Sequence, residues 1–77
     1  MKRDGWLKEP NGAWVLRFRH DCESWDMNPK VLIDKGRVEK NGIALLKSRK
    51  RIRRELAKVL WRNLLLAGWL PVQPQWE

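Results

Sequence analysis

The chain has 77 residues, a net charge of +8 at pH 7, six tryptophans and a single cysteine. This length fits one small domain, which buries only about 60% of its extended surface on folding and needs large side chains in its core. The lone cysteine excludes an internal disulfide and indicates a reducing compartment, while the positive charge favours anionic partners of any kind.

The first predicted element is a β-hairpin over residues 5–20. Its turn is Glu9-Pro10-Asn11-Gly12, in which Pro10 presets φ and the next two residues tolerate positive φ. The strand that follows has a period of two. One face, expected in the core, carries Trp14, Leu16 and Phe18, and the other carries Val15, Arg17 and Arg19.

The middle of the chain, residues 21–46, contains an acidic loop and short segments with strand character. An acidic loop is expected over residues 21–29, and a third strand over residues 30–34 that ends at Lys35-Gly36. Asn41-Gly42 is a dipeptide that closes two-residue hairpins, so residues 37–40 and 43–46 could form a second ribbon. Residues 44–46 could equally begin the helix.

One amphipathic helix is predicted at about residues 49–67, with Ser48 as its N-cap. Gly68 suits the position after the helix, and Trp69 could fold back onto the last turn. An extended tail, limited by its prolines to an edge strand or coil, follows over residues 70–77. The apolar face of the predicted helix comprises Ile52, Leu56, Val59, Leu60, Asn63, Leu66 and Ala67.

These elements predict an α+β fold in a single domain, residues 1–77: an antiparallel sheet of about three strands with one C-terminal amphipathic helix packed on one face. The expected core comprises Trp6, Trp14, Leu16, Phe18, Val31, Ile33, Ile52, Leu56, Val59, Leu60 and Leu66.

Several spaced tryptophan motifs run through the chain: GWL at 5–7, NGAWVLRF at 11–18, ALLKSR at 44–49, LWR at 60–62, AGW at 67–69 and PQW at 74–76. With these motifs the chain resembles an uncharacterised family of small proteins from marine unicellular cyanobacteria of the Synechococcus and Prochlorococcus type, the domain of unknown function 1651. The resemblance implies a cytosolic setting and brings no catalytic residue and no ligand.

Catalysis is not expected. His20 and Cys22 could share a strand face, but the neighbouring carboxylates oppose the lowered thiol pKa that a nucleophile needs. The same pair falls short of a structural zinc site, and the isolated glycines match no phosphate-binding loop. We therefore predict a protein that is no enzyme and holds no metal and no cofactor.

The strongest functional signal is the run Lys47-Ser48-Arg49-Lys50-Arg51-Ile52-Arg53-Arg54, in which six of eight residues are cationic. At the start of a helix these charges oppose the helix dipole, which suggests an external polyanion, although a solvated basic face is an equally good interpretation. The predicted binding residues are Lys47, Arg49, Lys50, Arg51, Arg54, Lys58 and Arg62, with Arg17, Arg19, Trp25 and Trp76 as secondary candidates.

The sequence thus predicts a small, basic, cytoplasmic binding protein without a membrane span, whose partner is an anionic macromolecule: DNA, RNA or an acidic protein. Nucleic-acid binding through the cationic helix start is the leading hypothesis. The alternative is a regulatory adaptor that docks on an acidic protein, which the tryptophan content and small size favour. The two basic groups, on the helix and on the hairpin strand, are expected on opposite sides of the molecule.

Overall fold

The computed structural model describes residues 5–22, 27–42 and 44–75. Five antiparallel strands form one sheet in the order β4-β3-β2-β1-β5, and one helix lies between β4 and β5 in the chain. The elements in chain order are β1 (Gly5–Lys8), β2 (Trp14–His20), β3 (Lys30–Val38), β4 (Ala44–Arg53), α1 (Arg54–Leu66) and β5 (Leu70–Pro71). The predicted combination of an antiparallel sheet with a C-terminal helix is confirmed, with five strands in place of about three.

The core lies between α1 and one face of the sheet, which we call the helix face. Its buried members are Leu7, Leu16, Phe18, Val31, Ile33 and Ala57. Trp61 anchors the helix: its ring meets that of Phe18 edge-on at 5.1 Å between centroids, and it covers Gly5, the register partner of Phe18. A glycine is needed there because a Cβ at residue 5 would lie 2.6 Å from the Trp61 ring.

Both hairpin turns are built alike. In the first, the Gly12 N–H donates to the Glu9 carbonyl at 2.8 Å, and in the second the Gly42 N–H donates to the Glu39 carbonyl at 2.9 Å. Each turn ends on a glycine with φ near +80°, as a left-handed position requires. Asn11 tolerates a positive φ but does not adopt one, since no described non-glycine residue has a positive φ.

The third strand is longer than predicted, and the cationic run is a strand and not a helix start. β3 continues through Gly36 to Val38 and pairs with β4 along its length, from Lys30↔Arg53 to Val38↔Ala44, with one irregularity between Lys35 and Gly36. Because residues 49–53 satisfy their backbone groups against β3, they are unavailable to the helix. Ser48 is therefore no N-cap.

α1 begins at Arg54, and its buried face differs from the predicted one. Ala57 is buried, and Leu60, Trp61 and Leu64 are partly buried against the core. Leu56, Val59 and Leu66, which were expected in the core, are 58%, 51% and 82% exposed. Asn63 and Ala67 are exposed as well, and Trp14 is only half-buried. Ile52 packs against the core, as predicted, but from β4 and not from the helix.

The end of the helix matches its prediction. The Gly68 N–H donates to the Leu65 carbonyl at 3.1 Å, and the Trp69 N–H donates to the Leu64 carbonyl at 2.9 Å. With φ of +98° at Gly68 this is a Schellman motif, and Trp69 packs back onto the core. The extended tail then adds β5 to the outer edge of β1, where Pro71 pairs with Leu7.

Candidate functional site

The sheet face opposite the helix carries most of the charge that the strands hold, and we call it the arginine face. Antiparallel partners point to the same face, so the register fixes its members. One row crosses four strands as Trp6, Arg17, Asp34 and Arg49, and the next row crosses three strands as Arg19, Leu32 and Arg51.

Asp34 is the centre of this face. Its side chain is completely buried, and Arg49 donates from Nε to Oδ1 at 2.6 Å and from Nη2 to Oδ2 at 3.4 Å. Arg19 adds an ion pair of 3.3 Å from Nε to Oδ2. A buried carboxylate is tolerated only when it is paired, and here two guanidinium groups from the flanking strands compensate it.

The Asp34 carboxylate also fixes the state of Arg49. The hydrogen bond from Arg49 to Asp34, and then the negative charge of Asp34, raise the pKa of Arg49 above its ordinary value, against a smaller opposing effect of desolvation. The Arg49 side chain is half-exposed, and its remaining N–H donors are available to solvent. Asp34 therefore holds a permanently charged, oriented donor group at the surface.

Two further contacts order the arginines. Arg51 pairs from Nε with Oδ2 of the buried Asp21 at 2.8 Å. The guanidinium carbon of Arg17 lies 5.3 Å from the ring centroid of Trp6, a cation–π distance. The Arg17 Nε is buried and has no hydrogen-bond partner among the described residues. Four arginines thus surround two carboxylates and leave an excess of positive charge.

The predicted binding residues are distributed over three surfaces. Arg49 and Arg51 lie on the arginine face, Lys50 points to the helix face, and Lys47 lies at the irregularity of β4, with its ammonium 3.9 Å from Glu39. The remaining predicted cations, Arg54, Lys58 and Arg62, lie exposed on α1. Trp25 and Trp76 lie outside the described residues.

The expectation that the two basic groups lie on opposite sides of the molecule is wrong for the strand portion. Arg17 and Arg19, the secondary candidates, share the arginine face with Arg49 and Arg51 because β2, β3 and β4 are adjacent in the sheet. Sequence reasoning missed the carboxylates that hold them, Asp21 and Asp34. An acidic residue at the alternate position of a β-branched strand, beside a strand carrying Arg17 and Arg19, was the available signal.

The tryptophans offer no open ring on this face among the described residues. Trp6 is buried, and Trp14, on the other face, is half-buried with the Lys35 ammonium 4.4 Å from its ring centroid. We therefore expect this face to bind a ligand through its guanidinium groups and not through stacking of bases on tryptophan rings.

Within residues 5–22, 27–42 and 44–75, no group of three or more His, Cys, Asp or Glu side chains could hold a metal ion. In the same part of the chain, no helix is long and apolar enough to cross a membrane. His20 and Cys22 are both exposed, and Cys22 is a free thiol.

The family model described as "Protein of unknown function (DUF1651)" matches residues 4–76. The match spans all five strands and the helix. Comparisons with curated proteins and with solved structures gave no match. The arginine face therefore has to be interpreted from its own chemistry.

Proposed function

Because the chain belongs to the DUF1651 family, whose description assigns no function, we propose from the site itself that the protein binds nucleic acid through the arginine face and β4. The observation that carries this proposal is the buried Asp34, which orients Arg19 and Arg49 toward one surface. Arg51 and Arg53 follow Arg49 on that face at intervals of about 6.6 Å along the strand.

Such an array suits a phosphate backbone better than base edges. Guanidinium groups are planar forks that bind phosphate oxygens through two parallel hydrogen bonds. Pre-orientation by a buried carboxylate lowers the side-chain entropy lost when they bind. We therefore expect binding with little sequence preference and a strong dependence on salt.

The test is a salt titration against mixed-sequence DNA and RNA, single-stranded and duplex, starting near about 50 mM salt. Log affinity should fall linearly with log salt concentration, with a slope of roughly −3 to −5, since about one counterion is released per neutralised phosphate. Binding no tighter than about 100 μM at the lowest salt would exclude the proposal.

A matched pair of triple variants separates the site from the net charge. The first changes Arg49, Arg51 and Arg53 to Gln, and the second changes Arg54, Lys58 and Arg62 on α1 to Gln. Both remove the same charge, and binding is compared after circular dichroism has shown that both variants fold, because Arg49 and Arg51 pair with buried carboxylates. Only the first is expected to reduce the salt slope by about 2–3 units. An equal reduction in both variants would mean that overall charge, and not the arginine face, governs binding.

A second candidate function rests on a different surface. The exposed Leu56, Val59 and Leu66 follow one side of α1, next to the cations Arg54, Lys58 and Arg62. An adaptor that docks on an acidic protein would use such an apolar strip with a charged border. Its affinity would depend weakly on salt, and Leu66→Ser would weaken it by about 2 kcal/mol, whereas Arg49→Gln would leave it unchanged.

The proposed setting is the cytoplasm of a marine unicellular cyanobacterium. The single cysteine and the exposed thiol of Cys22 support a reducing compartment. In that compartment nucleic acid is the most abundant polyanion, as the proposed function requires.

A further inference from the structure

A second feature lies on the helix face, away from the arginines. A pocket of about 320 Å³ opens between α1, the segment after it, and strands β3 and β4. Its walls are apolar and include Ile33, Ile52, Leu60 and Trp69. Its polar lining consists of Lys35, Ser48 and Lys50. This volume lies in the range of sites that enclose small molecules.

The two lysines are unexpected at their positions. Ile33↔Lys50 and Lys35↔Ser48 are register pairs on the helix face, where a sheet covered by a helix normally carries apolar side chains. Trp61 holds α1 over Gly5 and Phe18, at the β1 and β2 side of the sheet. The pocket lies at the β3 and β4 side, where Ile33 and Ile52 line it together with Leu60 and Trp69.

Protection of a sheet edge does not explain both lysines. An inward-pointing charge on an edge strand blocks pairing with another chain, and Lys50 on β4 fits that role. Lys35 does not, because β3 is paired on both sides. The Lys35 ammonium lies 4.4 Å from the Trp14 ring centroid, and the Lys35 side chain lines the pocket.

We propose that this pocket binds a free aliphatic monocarboxylate of medium chain length. The alkyl chain lies against Ile52, Leu60 and Trp69. The carboxylate pairs with the ammonium groups of Lys50 and Lys35, and Lys35 turns from the Trp14 ring to reach it. These two residues are diagonal neighbours, about 7–8 Å apart at their backbones, so both long side chains reach one anion. None of the residues that line the pocket is acidic, and the ligand supplies the missing negative charge.

The test is a titration with hexanoate, octanoate and decanoate below their micelle concentrations, followed by calorimetry and by the indole N–H signals in NMR spectra. Affinity should rise about three- to fourfold per added methylene, as burial of the chain requires. The Trp69 indole should shift, whereas that of Trp6, which lies on the opposite face, should not. Affinity that is independent of chain length would overturn the proposal.

Two controls exclude simple attraction to a basic protein. Lys35→Glu combined with Lys50→Glu should weaken decanoate binding at least about tenfold. Lys40→Glu combined with Lys58→Glu makes the same charge change outside the pocket and should leave binding within about twofold. Equal loss in both double variants would overturn the proposal.

Two ligands of different chemistry test whether the pocket is selective for an aliphatic carboxylate. Decyltrimethylammonium has the same chain with the opposite charge and should not shift Trp69. If decanoate fails while an acidic amphipathic peptide shifts the Trp69 signal, the pocket is a peptide groove and the carboxylate assignment is wrong. This inference is independent of the nucleic-acid proposal, because the pocket and the arginine face lie on opposite faces of the sheet and share no residue.

Discussion

The helix face and the arginine face of the sheet share the same strands but are stabilised by different interactions. On the helix face, Leu7, Phe18 and Val31 are at most 1% exposed and pack with Ala57 of the helix. On the arginine face, the apolar side chain of Val15 and the carboxylate of Asp34 are both completely buried.

The two faces therefore contribute to the protein in different ways. Apolar burial is non-directional and roughly proportional to area, so the helix face, which holds the core cluster, supplies most of the apolar burial that stabilises the fold. Ion pairs and hydrogen bonds are directional, so the arginine face decides how guanidinium groups are presented. Substitutions on the two faces should therefore differ in kind as well as in size.

The largest effect is expected for Phe18→Asp. The substitution removes the edge-on contact with Trp61 and places an unpaired charge where exposure is 0%. Cooperative thermal unfolding, followed by circular dichroism, should be lost. Arg17→Gln, one residue earlier on the opposite face, should cost only about 0.5–1 kcal/mol through its contact with Trp6. Equal damage from both variants would contradict the division between the faces.

A smaller but still large effect is expected for Asp34→Asn. The variant keeps the shape of the side chain but removes the charge that compensates Arg19 and Arg49. The free energy of unfolding, measured in urea, should fall by about 2–4 kcal/mol. Glu39→Gln removes a carboxylate that meets Lys47 at 3.9 Å near the surface, and should cost less than about 0.5 kcal/mol. If the two costs agree, Asp34 does not organise its face.

The smallest of the three effects is expected for Gly5→Ala on the helix face. Its Cβ would lie 2.6 Å and 2.9 Å from two ring atoms of Trp61, so the ring must move. We expect a loss of about 1–3 kcal/mol in the free energy of unfolding, typical of an overpacked core.

A double-mutant cycle identifies the cause of that loss. In a Trp61→Leu background the clash is absent, and Gly5→Ala should then cost less than about 0.5 kcal/mol or become favourable, because glycine weakens a strand. A cost that is unchanged in this background would place the strain in the β1 backbone and not at Trp61.

The sequence predicted those features whose cause is local. The first hairpin and the Schellman motif follow from turn chemistry at Gly12 and Gly68, and both are confirmed. The face of β2 that packs on the helix also follows, because Leu16 and Phe18 alternate with charged residues.

The prediction of a helix start in the cationic run, residues 47–54, was wrong because the structure of this run depends on pairing with another strand, β3. Its helix-face positions include Ser48 and Lys50, so no apolar alternation marks it as a strand, and only pairing with β3 makes it one. Asp34 was missed for the same reason, since its partners lie on two other strands.

The side of α1 that packs on the sheet could not be predicted for a different reason. Two apolar stripes share helical spacing: Leu56, Val59 and Leu66 on one side, and Ala57, Leu60, Trp61 and Leu64 on the other. Periodicity favours either stripe, and the choice is made by the fit of Trp61 over Gly5, which a single helix cannot reveal.

The pairing of β5 with β1 has a consequence for the order of folding during synthesis. β1 joins β2 through a short turn, but its outer edge stays unpaired until Leu70 and Pro71 have been made. At synthesis rates of about 5–20 residues per second, the outer edge of β1 stays unpaired for several seconds. The last strand added thus completes the first, and folding intermediates that lack it present a ready template for pairing with other chains.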